Sequence, residues 1–209
     1  MPTLPKTTRY RKPETFRGRA WRPYVAALGQ LALAWNELHE HLAYLFTTVM
    51  PEDNKERTIH VWYSASQDRA AREMLRAALI SQPEEFLEKY PAAVEEIRWI
   101  LGQAHALEEA RNNAIHSPLL HWNTDEPDRQ QIEPFAFFGH SRATKLAKRP
   151  DLLAEFRWCR DTALVLRDYV DLIDDALTIS RRPWPKRPSL PNRGQKKGRR
   201  GPRHQRSPK

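Results

Sequence analysis

Two long segments of this chain carry apolar residues at alternating spacings of four and three. Tyr24, Leu28, Leu31, Trp35, Leu38, Leu42, Leu45 and Val49 form the first series, and Leu152, Phe156, Cys159, Ala163, Leu166, Val170, Ile173 and Leu177 the second. This period places each series on one stripe of an α-helix, and a strand cannot accommodate it. The spacing predicts helices over 23–50, with Pro23 in the first turn and Pro51 as its stop, and from 150 or 151 to 179, with Asp151 as N-cap. Cys159 lies within the second stripe and reads as an inert core thiol.

Between these stripes the pattern is helical but less regular. Ile59, Trp62, Tyr63, Ala70, Met74, Leu75, Ala78 and Leu79 indicate a helix over 56–81, with Ser64-Ala65-Ser66-Gln67 able to bend or break it. A short helix is expected over 84–89. Val94, Ile97, Leu101, Ala104, Leu107 and Ile115 line a third long helix from Pro91 to Ser117, which Pro118 ends. The 119–150 stretch differs. Leu119-Leu120-His121-Trp122 and the run from Ile132 to Phe138 are β-prone and flank a turn-rich segment, so a hairpin or ordered loop precedes the last helix. The fold class is all-α: a helical bundle of four long helices with a small insertion. Only seven glycines occur, and three of them lie in the last sixteen residues, which argues against phosphate loops in the body.

Charge divides the chain into three parts. Residues 181–209 hold twelve Lys/Arg and no acid, and residues 1–22 hold seven Lys/Arg and one Glu. That leaves sixteen basic and twenty-five acidic residues, −9, for 23–180 within a chain of net +9. A basic arm over 1–21, a bundle domain over 22–180 and a Pro-rich basic tail over 181–209, both ends disordered, are the expected organisation. Arg181, Arg182, Lys186, Arg187, Lys196, Lys197, Arg199 and Arg200 are candidate nucleic-acid contacts, with Trp184 able to stack on a base. The alternative for the tail is folding back on the acidic body. A single cysteine excludes an intrachain disulfide. No apolar run reaches the ~20 residues of a membrane span, and the N-terminus has no secretory apolar region. A cytoplasmic location with no membrane contact is expected.

Metal chemistry finds no support. His39 and His41 in Glu37-Leu38-His39-Glu40-His41 are two apart, about 200° around a helix, and no Glu-x-x-His pair occurs. That segment reads as a solvated polar face, and neither metal nor cofactor is expected. Serine hydrolysis lacks nucleophile-elbow glycines.

The end of the third long helix, Arg111-Asn112-Asn113-Ala114-Ile115-His116, is the segment suited to chemistry. Asn112 and His116 are four apart on one face, beside the face of Arg111. A permanent multidentate cation, an amide and an imidazole together can bind a phosphodiester and move a proton on it. RNA can be cut in this way without metal, because its 2′-hydroxyl is an internal nucleophile. A structural role stands beside this one: Arg111 is one turn from Glu108, and His116 suits a helix C-terminus.

Arg111, Asn112 and His116 resemble the motif of the HEPN domain family, an Arg followed by four to six residues and a His, often with Asn after the Arg. A first helix bearing Trp35-Asn36-Glu37-Leu38 and Leu45-Phe46, and a final long helix after a hairpin, resemble it as well, over residues 22–180. The resemblance implies a metal-independent endoribonuclease acting as a homodimer with two motifs in one cleft. Arg111 would sit on the scissile phosphate, His116 would act as acid or base, and Asn112 would orient them. An antitoxin or other protein partner is also implied. Some members are inactive, and the second reading is accordingly a binding module that holds nucleic acid or protein through its basic arms.

Overall fold

The computed structural model describes residues 18–50, 54–122 and 131–194. Seven helices and one hairpin follow in order: α1 Arg22–Val49, α2 Lys55–Tyr63, α3 Asp68–Ile80, α4 Glu84–Lys89, α5 Ala93–His116, β1 Leu119–Trp122, β2 Gln131–Pro134, α6 Ser141–Leu146 and α7 Leu152–Thr178. The helical class expected from periodicity is thus observed. No described helix is long and apolar enough to cross a membrane.

The two heptad-like stripes face one another. Arg160 donates to Gln30 at 2.7 Å, Arg167 pairs with Glu37, and His41 pairs with Asp171. Each pair is separated by 130 residues, so α1 and α7 run parallel and in register. Leu31, Leu38, Leu45, Phe156, Leu166 and Ile173 are buried along this seam. Burying one such side chain contributes about 1.5–3 kcal/mol. α5 runs antiparallel to α7: the Tyr169 hydroxyl donates to Glu96 at 2.8 Å, and the Tyr90 hydroxyl donates to the Leu177 carbonyl at 2.9 Å. Cys159 is buried and free, and burial followed by the charge of Glu155 pushes its thiol up to about 12. It is a packing residue in this state.

Several boundaries differ from expectation. The helix expected over 56–81 is two helices. Ser64-Ala65-Ser66-Gln67 breaks it, and Asn54 caps the first piece by accepting from the Arg57 amide at 3.0 Å. Asp151 caps α7 as expected, accepting from the Ala154 amide at 3.0 Å. The second strand stops at Pro134, which cannot extend a ladder. A 3₁₀ turn follows at Phe137–Gly139, with Phe138 at φ 58° and Gly139 at φ 75°. α6 then forms with no expectation behind it, its first turn capped by His140 Nδ1 accepting from the Ala143 amide at 3.2 Å.

The tail from 181 is not free over its first part. Residues 181–194 form an extended strap along the body. Trp184 and Leu190 pack on the core, and the Pro191 carbonyl accepts from Trp158 Nε1 at 3.0 Å. Pro183, Pro185, Pro188 and Pro191 forbid a helix here. Acidic side chains of the body hold Arg182, Arg187 and Arg193 of the strap, which is the fold-back alternative. Residues 1–17 and 195–209, where the arm and the rest of the tail were expected, lie outside the described residues.

Candidate nucleic-acid site at the end of the fifth helix

α5 packs beside α1 and α3, and its Glu108 and Arg111 side chains enter a polar cluster built on Trp35. The Trp35 indole donates to Asp68 at 2.8 Å. The guanidinium groups of Arg72 and Arg111 lie 5.7 and 5.5 Å from its ring centroid. Cations at these distances are attracted to the ring's negative face. Arg72 is 3% exposed and donates to Glu108 at 2.5 Å and to His39 Nε2 at 3.0 Å. Arginine has no acceptor, so this contact requires His39 to be neutral with its proton on Nδ1. Nδ1 faces Asp68 at 3.9 Å. Burial, and then the charges of Arg72 and Arg111, lower the His39 pKa from 6.5 to about 4, against an opposing pull from Asp68.

Sequence reasoning placed His39 on a solvated polar face, and that is corrected here: it is buried in this cluster. His41, by contrast, is only half-buried, against Asp171. The spacing held a usable signal. His39 follows the buried Trp35 by four residues and directly follows Leu38, so it belongs beside the apolar stripe. The role of Arg72 was not legible, since nothing in a sequence shows which acid a buried arginine will meet. Among the described residues no group of His, Cys, Asp or Glu is arranged to hold a metal ion.

Arg111 is not paired with Glu108, which is taken by Arg72. It donates instead to Asn112 Oδ1 at 2.8 Å, and its Nε is buried without a partner. The structure therefore brings Arg111 and Asn112 together. His116, in the last turn, is exposed and has no partner among the described residues. It stands five positions after Arg111, about 140° around the helix and about 7.5 Å along it. It stands on the Asn112 face, one turn further on. Ser117 closes the helix by donating to the Asn113 carbonyl at 2.5 Å.

Asn112 and Asn113 open onto a cleft of 410 Å³ between α5, α3 and α6, where Arg69, Ser141, Arg142 and Lys145 form much of the wall. Lys145 is paired with Glu109 at 2.6 Å.

The strap residues expected to bind nucleic acid are largely engaged within the molecule. Arg182 pairs with Asp175 at 2.9 Å. Arg187 lies over Trp99 at 5.1 Å and bonds Glu95 at 3.0 Å and Glu96 at 2.8 Å, and its hydrogen bond holds the Glu96 carboxyl below its usual range. Arg181 and Lys186 are exposed without partners among the described residues. Trp184 is packed on the core and is not free to stack on a base. Lys196, Lys197, Arg199 and Arg200 lie outside the described residues. No protein-family model, curated protein or solved structure matches this chain.

Proposed function

We propose that this protein is a HEPN-like, metal-independent endoribonuclease whose site is the end of α5, used by two copies of the chain facing one another. The observation that supports it most is Arg111, held over Trp35 and bonded to Asn112, which lines a cleft bearing Arg69, Arg142 and Lys145, with the exposed His116 imidazole one turn further on along the Asn112 face. The Trp35 ring and the Asn112 side chain hold the guanidinium in place in advance, so less freedom is lost when a phosphate arrives.

In this reading Arg111 contacts the scissile phosphate and stabilises its developing charge. Asn112 fixes the orientation of Arg111. His116 takes the proton from the 2′-hydroxyl, whose oxygen attacks the adjacent phosphorus. The 5′-oxygen leaves with a proton from His116 of the second copy, and a 2′,3′-cyclic phosphate remains. The 140° between Arg111 and His116 on one helix accords with a cleft to which two copies contribute.

The second reading, an inactive module that binds through its basic arms, is weakened over 181–194, where Arg182, Arg187 and Arg193 are engaged with acids of the body. The test is the rate of cleavage of a mixed RNA pool in excess EDTA by the wild type and by His116→Ala purified identically. Loss of a general acid or base is expected to lower the rate by roughly 10²–10⁴-fold. Equal rates in the two proteins would remove His116 from the chemistry.

A further inference from the structure

Two adjoining hollows that share lining residues form a trough beside α6. Beyond Lys145 lies a second hollow of 260 Å³, sharing Glu109, Asn113 and Lys145 with the first and bounded by Lys148, Arg149 and Arg193. Three acids line the two hollows, and each is already engaged: Glu108 by Arg72, Glu109 by Lys145, and Glu155 by Arg193 and Arg149. Arg69, Arg142 and Lys148 are exposed and have no partner among the described residues. Uncompensated cations spaced along one trough repel one another and favour a ligand that carries repeated negative charge.

An independent feature lies four residues before Arg142. Phe138 is 97% exposed and has φ 58°, a backbone conformation that bulky side chains rarely adopt. Its ring is not buried by Phe135, whose ring centroid lies 6.1 Å away. The turn that leads into α6 thus holds an aromatic face out in water, four residues before Arg142. Strained backbone of this kind persists where the surrounding structure imposes it, and it concentrates at ligand sites. An aromatic platform beside a cationic groove is the combination that holds an unpaired nucleic-acid strand, with a base on the ring and phosphates on the cations.

We infer that the α6 trough is a track for single-stranded RNA, with Phe138 stacking a base and Arg69, Arg142 and Lys148 holding phosphates on the way to Asn112. The inference rests on reading the end of α5 as an RNA site, and it deepens that reading by requiring unpaired bases. A duplex cannot offer a base face to Phe138 without opening.

The test is fluorescence anisotropy with the full-length His116→Ala chain, in which the RNA stays intact. The probes are a labelled single-stranded RNA, a hairpin duplex of the same length, and a labelled polyglutamate. Phe138→Ala is expected to weaken single-strand binding roughly tenfold, with duplex binding unchanged and Phe138→Trp restoring the affinity. Replacing Arg142 and Lys148 together by Ala should flatten the slope of log affinity against log salt by about 1.4 for the single strand, as expected for two phosphate contacts. Both sets of changes are at exposed positions, and melting curves confirm that the variants fold. Unchanged single-strand affinity in both sets overturns the inference. An equal or larger loss with polyglutamate also overturns it, assigning the trough to an acidic protein. Binding that depends on Phe138 in a protein that never cleaves RNA would uphold the track and reject the nuclease. Cleavage indifferent to Phe138, Arg142 and Lys148 would do the reverse.

Discussion

At the scale of single residues, the cluster on Trp35 depends on an imidazole that stays neutral. His39 accepts from Arg72, and protonation would remove that acceptor and place a cation against Arg72 and Arg111. With a folded pKa of about 4 against an ordinary 6.5, the unfolded chain binds this proton more readily than the folded one. The resulting stability is complete above pH 6.5 and declines as the pH falls towards 4, by at most about 1.4 kcal/mol per unit. Urea unfolding at a series of pH values should show this decline, and His39→Gln should flatten that part of the curve relative to wild type. Parallel curves for the two proteins would contradict the assignment. The candidate trio Arg111, Asn112 and His116 is named from residue type and spacing. Its support was not, because Trp35, Asp68, Arg72 and Glu108 come from three helices that only tertiary packing brings together.

At the scale of elements, periodicity carried most of the information. The α1 and α7 stripes were readable because each keeps its four-and-three spacing over about seven turns, and Asp151 and Pro51 marked their ends by ordinary capping and steric rules. α6 was unreadable because six residues carry no period. Phe138 was hidden in an apolar run that reads as strand, and Pro134 cut that strand short. The strap was misjudged for a different reason. Composition reports that 181–194 cannot form a helix, but not that Glu95, Glu96 and Glu155 wait for its arginines. Glu155 is only 6% exposed, and Arg193 and Arg149 are its cationic partners. Arg193→Ala is therefore expected to cost about 2 kcal/mol in denaturant unfolding, because a buried carboxylate loses its closer partner. A change below a few tenths of a kcal/mol would show that the strap contributes little to the folded body.

At the scale of the whole molecule, the charge division acquires a physical form. The acidic body draws the first fourteen residues of the basic tail onto itself, so the net charge of +9 overstates what a polyanion would meet over the described surface. Three cations without partners among the described residues, Arg69, Arg142 and Lys148, line the hollows beside α6 and the end of α5. The parallel α1–α7 seam was not legible, since two apolar stripes of the same period fit either direction. It becomes evident only from the constant offset of their polar pairs. This seam and the antiparallel α5 provide the rigid frame on which Arg111 and Asn112 are set and from which His116 faces solvent.

We propose that this helix end cuts RNA by means of RNA's own 2′-hydroxyl. The most direct measurement is the chemistry of the ends left on a cleaved single-stranded RNA in EDTA, alongside the same sequence 2′-O-methylated throughout. The account predicts 2′,3′-cyclic phosphate ends from the wild type and no cutting of the methylated strand. Cleavage of the methylated strand, or 3′-hydroxyl and 5′-phosphate ends, would contradict it.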